Sequence, residues 1–377
     1  MLGTRPAARL SISTWRHVDT PLIVAVVATA SLGLLMVFSA TRHQLAEAGL
    51  DEQAVLKRQA VFVLLGVIAM ALLTSVDYRN LRAFAPLMFI GAVTLLLLVL
   101  SPLGSEGRGT QAWFQLGAYQ FQPSEFSKIA VVVCAAAYCA TYREGLGGRE
   151  VGAVLGLAAI PIGLIYLQPD LGTALVFIAI LLGVLAVGGA KPRHLGVLFA
   201  LGVVAVIAVL QLGVLKQYQL DRLGAFLDPS DNSLQATYNL NQSKIAIGSG
   251  GLTGKGLFEG SQTTLAYVPE QSTDFVFTVV GEELGFAGSA ALLGLFGFIV
   301  WRIWRAATVA RDLFGTLVCV GVLCMFVFQI FENVGMTMGI MPITGIPLPF
   351  VSYGGSSIVA AFAGLGLVLN VHMRRFA

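Results

Sequence analysis

The chain has 377 residues, 56% of them hydrophobic and 11% charged, and its mean hydropathy is +0.82. Soluble domains carry roughly 25% charged residues, so this is an integral membrane protein. The net charge is only +3 and the basic residues are spread between apolar runs, which excludes a nucleic-acid footprint and nucleic acid as a partner. With about 20 apolar residues needed per crossing, ten helices are expected, near 21–40, 59–76, 83–102, 124–141, 151–168, 171–189, 194–215, 275–301, 313–332 and 353–371. The expected fold is therefore an all-α polytopic membrane protein of about ten transmembrane helices, one domain over 1–377. A tail over 1–20 precedes the first span, and a large polar loop over 217–274 lies between helices seven and eight. The first run follows Arg5, Arg9 and Arg16 and has no small-residue cleavage site, which marks a retained span. Gly and Pro interrupt several spans, notably the one holding Pro161, and such breaks survive in lipid only where protein or water satisfies the backbone. Cys134, Cys139, Cys319 and Cys324 fall inside apolar runs as small hydrophobes.

Fourteen of the 23 lysines and arginines fall on one side: Arg5, Arg9, Arg16, Arg79, Arg82, Arg143, Arg149, Lys191, Arg193, Arg302, Arg305, Arg311, Arg374 and Arg375. The positive-inside rule then puts both termini in the cytoplasm and the 217–274 loop outside. Outside a bacterial inner membrane there is no ATP, so a reaction there needs an already activated substrate.

Five charged residues converge on that outer face. Glu125 and Lys128 start helix four, Asp170 caps the turn between helices five and six, Asp274 begins helix eight and Glu332 ends helix nine. An ionisable group at a membrane mouth is a functional candidate. Each also has a structural account, as a partner of a helix macrodipole or, for Glu125 and Lys128, as an i,i+3 pair. Glu282 and Glu283 are expected a turn or two deeper, as a helix-orienting pair. Within the loop, Gln242-Ser-Lys244-Ile-Ala-Ile-Gly248-Ser-Gly-Gly-Leu-Thr-Gly254-Lys255-Gly256 has Ser249 where a P-loop needs Gly and Gly256 where it needs Ser or Thr, so nucleotide binding is rejected. The segment is either an anion cradle, with Arg222, Lys244 and Lys255 supplying cations, or a tightly bending loop. Ser352, in Ser352-Tyr-Gly-Gly-Ser-Ser357, either lines a lipid or sugar path or belongs to a re-entrant turn.

Gln122-Pro-Ser-Glu125-Phe-Ser-Lys128, Gln168-Pro-Asp170-Leu-Gly-Thr-Ala, the Gln242 segment, Ser272-Thr-Asp274-Phe and Pro347-Leu-Pro-Phe-Val-Ser-Tyr-Gly-Gly-Ser-Ser357 resemble, in order, the motifs of the shape, elongation, division and sporulation family, whose members include RodA and FtsW. Asn333-Val-Gly-Met-Thr-Met-Gly and Pro342-Ile-Thr-Gly-Ile-Pro-Leu-Pro349 look closer to the RodA branch. The resemblance implies a peptidoglycan glycosyltransferase that polymerises lipid II, serves cell elongation, and works with a class B penicillin-binding protein in a cell-wall elongation complex. It maps the family's essential aspartate to Asp274 and its other charged positions to Glu125, Lys128 and Asp170. Many relatives carry His where this chain has Ser272, so a His relay is not expected.

The chemistry then needs a base and a charge sink. Asp274 is expected to deprotonate the acceptor hydroxyl, its basicity raised by crowding from Glu125 and Asp170. Lys128, Arg222 and Lys244, or a divalent Mg²⁺ or Mn²⁺ held by carboxylates, would offset the diphosphate. The alternatives are a lipid II flippase or the division-type polymerase.

Overall fold

The computed structural model describes residues 17–376, with 108–109, 118, 143–144, 212, 214–215 and 229–234 left out. The tail arginines Arg5, Arg9 and Arg16, and Arg143, lie outside the described residues. Apolar runs fold as helices because lipid offers no partner for backbone amides, and aspartate caps start four of them. Helix α1 (Thr20–Glu47) begins where Asp19 Oδ1 accepts the Leu22 amide at 3.2 Å. It is followed by α2 (Ala54–Ser75) and by α3 (Tyr78–Val99), capped by Asp77. Then come α4 (Pro123–Cys139), α5 (Gly148–Leu167), α6 (Leu171–Val187) and α7 (Pro192–Gln211). The last three long helices are α11 (Val276–Thr308), α12 (Leu313–Met338) and α13 (Gly355–Met373), with Asp312 capping α12.

Each of the ten expected spans falls on one of these helices. Among the described residues, eight helices are long and apolar enough to cross a membrane; α6 is a shorter apolar helix, and α4 has 17 residues and opens with a buried ion pair. Helices α12 and α13 form the centre, where Phe350 stacks on Phe326 and meets Phe362 edge to face. Helix α7 lies at the other extreme: none of its side chains is buried, and it meets the bundle mainly through α6.

Four details depart from the sequence expectation. Helix α5 runs unbroken through Pro161, and the real interruption lies in α11 at Gly285, where φ is 65° and ψ −161°. Helix α12 extends to Met338, so Glu332 stands well inside the helix, buried, and does not end it. Between α3 and α4 the chain forms a small antiparallel sheet, β1 (Ser105–Gly107), β2 (Thr110–Leu116) and β3 (Tyr119–Phe121), in a fold otherwise helical. Stacked Phe114, Phe121 and Phe126 tie this sheet to the start of α4. Finally, the 217–274 segment is structured, with α8 (Gln217–Leu227), α9 (Gln235–Ser249) and α10 (Ser261–Thr264). It packs on the end of the bundle opposite the described chain ends, where Gln271 Nε2 donates to Ala40 O at 2.9 Å and Ser243 Oγ to Thr337 O at 2.7 Å.

Candidate active site

Asp274 stands just before α11, in a turn where the amides of Thr273, Asp274 and Phe275 all donate to Glu270 O. Asn333, on α12, donates from Nδ2 to Asp274 O and to Ile346 O, both at 2.8 Å. One amide thus holds the Asp274 turn and the 342–347 strap together. Between them sits Gly345 at φ 78°, where a Cβ would lie 3.2 Å from Asp274 Oδ2 and 3.7 Å from Arg222 Nη1. Glycine is the residue that fits both that dihedral and that space. Arg222, on α8, also donates to Thr344 O at 3.3 Å and lies over the Tyr218 ring. The Thr344 hydroxyl in turn donates to Glu332 Oε1 at 3.0 Å.

Tyr218 carries the arrangement to the second aspartate: its hydroxyl donates to Pro169 O at 2.8 Å, next to Asp170. Burial pushes the Tyr218 phenol up and Arg222 pulls it down, with the net shift upward, so it remains a neutral donor at physiological pH. Asp170 caps α6 by accepting from the Thr173 amide and hydroxyl, and Gln122 Nε2 donates to Asp170 Oδ2 at 3.3 Å. Gln122 precedes α4, whose first two turns hold Glu125 and Lys128, both buried, with Nζ 2.8 Å from Glu125 Oε1. Proline at the first helical position and a carboxylate in the first turn are what a helix start favours. Asp274, Arg222, Asp170 and the start of α4 are therefore joined by a continuous set of contacts.

Of the two carboxylates expected to crowd Asp274, Glu125 is paired to Lys128 and Asp170 caps α6. Lys244 is half-buried on α9, with Nζ 3.5 Å from where a Cβ of Gly339 would be, at the end of α12.

Lys255 goes elsewhere. Its Nζ donates to Glu282 Oε1 at 2.7 Å and to Ser261 Oγ at 2.8 Å. Glu282, fully buried, also accepts from the amides of Gln262 and Thr263 and from the Thr263 hydroxyl. The glycine-rich segment is thus docked on the broken part of α11. Lys255 and Gly256 amides donate to the Glu282 and Glu283 carbonyls, and the Phe286 and Ala287 amides donate to the Gly251 and Leu252 carbonyls. This repays the backbone groups freed at Gly285, as membrane depth requires. The fit is close: a Cβ on Gly254 would lie 2.0 Å from Glu283 O. Glu282 and Glu283, expected below the surface as a helix-orienting pair, are fully buried anchors, with Glu283 accepting from Ser39.

Ser352 is also committed to structure: its Oγ accepts the Leu348 amide at 2.9 Å, and its carbonyl accepts Gln59 Nε2 at 3.0 Å. Ser272 contributes its carbonyl, which accepts the Tyr353 amide at 2.8 Å. Among the described residues, no three His, Cys, Asp or Glu side chains group as metal ligands. Asn333, Tyr218, Gln122 and Gly345 went unassigned in the sequence, although an asparagine inside an apolar helix was a signal in plain view.

A family model described as cell cycle protein, covering FtsW, RodA and SpoVE, matches residues 20–376. The peptidoglycan glycosyltransferase MrdB of Escherichia coli (strain K12) is 35% identical over 360 residues, covering 95% of this chain and 94% of that protein. The probable peptidoglycan glycosyltransferase FtsW of Trichlorobacter lovleyi is 35% identical over 356 residues, covering 94% and 92%. Among solved structures, a chain from a peptidoglycan synthase complex that coordinates polymerization and crosslinking superposes with a TM-score of 0.80 at 35% identity, covering 95% of this chain and 98% of that one.

Proposed function

This chain belongs to the FtsW/RodA/SpoVE family and is a multi-pass membrane peptidoglycan glycosyltransferase, and from that premise we propose that it polymerises lipid II with Asp274 as general base. The observation that carries the assignment is the meeting of Asp274 and Arg222 across Gly345, at a bundle end linked through Tyr218 and Gln122 to Asp170 and the α4 ion pair. Asp274 takes the proton from the 4-hydroxyl of the acceptor sugar as that oxygen bonds to the donor's anomeric carbon. The bond from that carbon to the diphosphate oxygen breaks with inversion, and its electron pair leaves on undecaprenyl diphosphate. General-base assistance of this kind is worth about 10²–10⁴-fold.

Arg222 and Lys244 are the cations for the diphosphate, since Lys128 is held by Glu125 and Lys255 by Glu282. Any Mg²⁺ or Mn²⁺ in the reaction would draw its ligands from Asp274 and the substrate's own phosphates, the way magnesium is commonly held. The 217–274 segment is the catalytic loop; the distribution of basic residues supports its facing outward, with both termini cytoplasmic, in the bacterial inner membrane. The motif around Asn333 and Pro342 supports an elongation role over division, and likeness to a chain from a synthase complex supports work beside a class B penicillin-binding protein.

Purified protein given lipid II should make glycan polymer, and Asp274→Asn should not. An Asn variant that polymerises normally sinks the base assignment; one that loses lipid II flipping in liposomes, with polymerisation intact, supports transport instead.

A further inference from the structure

At the other end of α11 from Asp274, roughly 40 Å along the helix at 1.5 Å per residue, the chain ends enclose a cavity of about 420 Å³. Its wall includes His17, Asp19, Arg302, Arg305, His372 and Arg375. Among the described residues, Asp19 is the single carboxylate of that wall, and it is spent: Oδ1 caps α1, while Oδ2 receives Arg302 Nε at 2.9 Å and Nη2 at 2.6 Å. Among the described residues, neither Arg305 nor Arg375 has a carboxylate within 4.0 Å. Arg305 faces the Trp301 ring, and Arg375 faces Phe376 and a ring nitrogen of His372. The carboxyl ends of α11 and α13 offset part of this charge at about half a unit each, and the cavity remains net positive.

A soluble protein would leave such arginines to water, but the setting here is a membrane boundary. Trp301 and Trp304 stand exposed on α11 beside Arg302 and Arg305, as interfacial aromatics do, and Val18, Pro21, Val309 and Phe376 give the cavity an apolar floor. A guanidinium pair over an apolar floor at interface depth matches a phosphate group carried on an acyl chain. We propose that this cavity is a binding site for a phosphate anion, supplied by an anionic phospholipid headgroup, held by Arg305 and Arg375 with the Asp19–Arg302 pair as its fixed back wall.

The test is native mass spectrometry of the detergent-solubilised full chain titrated with phosphatidylglycerol, phosphatidylcholine or inorganic phosphate. Wild type should retain one phosphatidylglycerol, and Arg305→Gln with Arg375→Gln should weaken its retention about 30-fold. Lys191→Gln with Arg193→Gln removes the same charge at the same end of the bundle, outside the cavity, and should bind like wild type. If inorganic phosphate displaces the lipid at equal concentration, the anion site stands with solution as its source. Equal binding by wild type and the cavity variant, or equal loss in both variants, overturns the proposal. Arg375→Gln alone, at the chain end, gives the same readout should the double variant not fold.

Discussion

The buried Glu125–Lys128 pair gives the sharpest separation of stability from chemistry. At 2.8 Å and an effective dielectric near 20, the attraction is about 6 kcal/mol, set against the cost of removing both charges from water. Removing one partner from a buried pair costs about 3–5 kcal/mol, whereas replacing both by uncharged groups of similar size is close to neutral. Position breaks the symmetry between the two single variants. Glu125 lies in the first turn of α4, so in Lys128→Met the stranded carboxylate still faces the positive helix end, a gain of up to about 1–2 kcal/mol. In Glu125→Gln the stranded ammonium faces that same positive end and loses by it. Glu125→Gln should therefore lower the thermal midpoint more than Lys128→Met, and the double variant should recover most of the loss. Thermal unfolding followed by tryptophan fluorescence reads the order, and lipid II polymerisation reads activity in the same samples. A double variant that is stable but inactive assigns the pair to the reaction. Lys128→Met melting at or below Glu125→Gln would refute the electrostatic reasoning.

Other positions give equally direct outcomes. Gly345→Ala puts a methyl 3.2 Å from Asp274 Oδ2 at a φ of 78°, which costs about 1–3 kcal/mol; polymerisation should fall at least tenfold while the helical circular dichroism is retained. Gly254→Ala drives a methyl to 2.0 Å from Glu283 O, so limited proteolysis should cut within 249–263 faster than in the wild type. Asn333→Leu leaves the Asp274 and Ile346 carbonyls without their shared donor, at about 1–3 kcal/mol for each buried group left unpaired. Its turnover of lipid II should fall with substrate affinity little changed, which steady-state kinetics separates.

Hydropathy alone made the ten long helices legible, because in lipid a 20-residue apolar run has few ways to satisfy its backbone. Proline was a poor guide to where they break: Pro161 is carried through α5, whereas Gly285, unremarkable in the sequence, interrupts α11 because a distant loop supplies its hydrogen bonds. The charged motifs pointed to Asp274, Glu125, Lys128 and Asp170, but partner choice is a property of three-dimensional packing. No local pattern could say that Lys255 spends its charge on Glu282 while Arg222 turns toward Asp274. The sheet over 105–121 leaves no periodic signature in the sequence, since its strands are short, and β1 and β3 have only three residues each. Asn333 sits among motif neighbours, where a polar residue reads as a family marker before it reads as a clamp.

The interlock at Gly285 clamps α11 on both sides of its break. The 251–256 segment donates two backbone hydrogen bonds to the Glu282 and Glu283 carbonyls before the break and accepts two from the Phe286 and Ala287 amides after it. A push on that segment is therefore delivered to both sides of the break at once, and the short rod before it begins beside Asp274. Whatever grips that loop holds a lever on the Asp274 carboxylate.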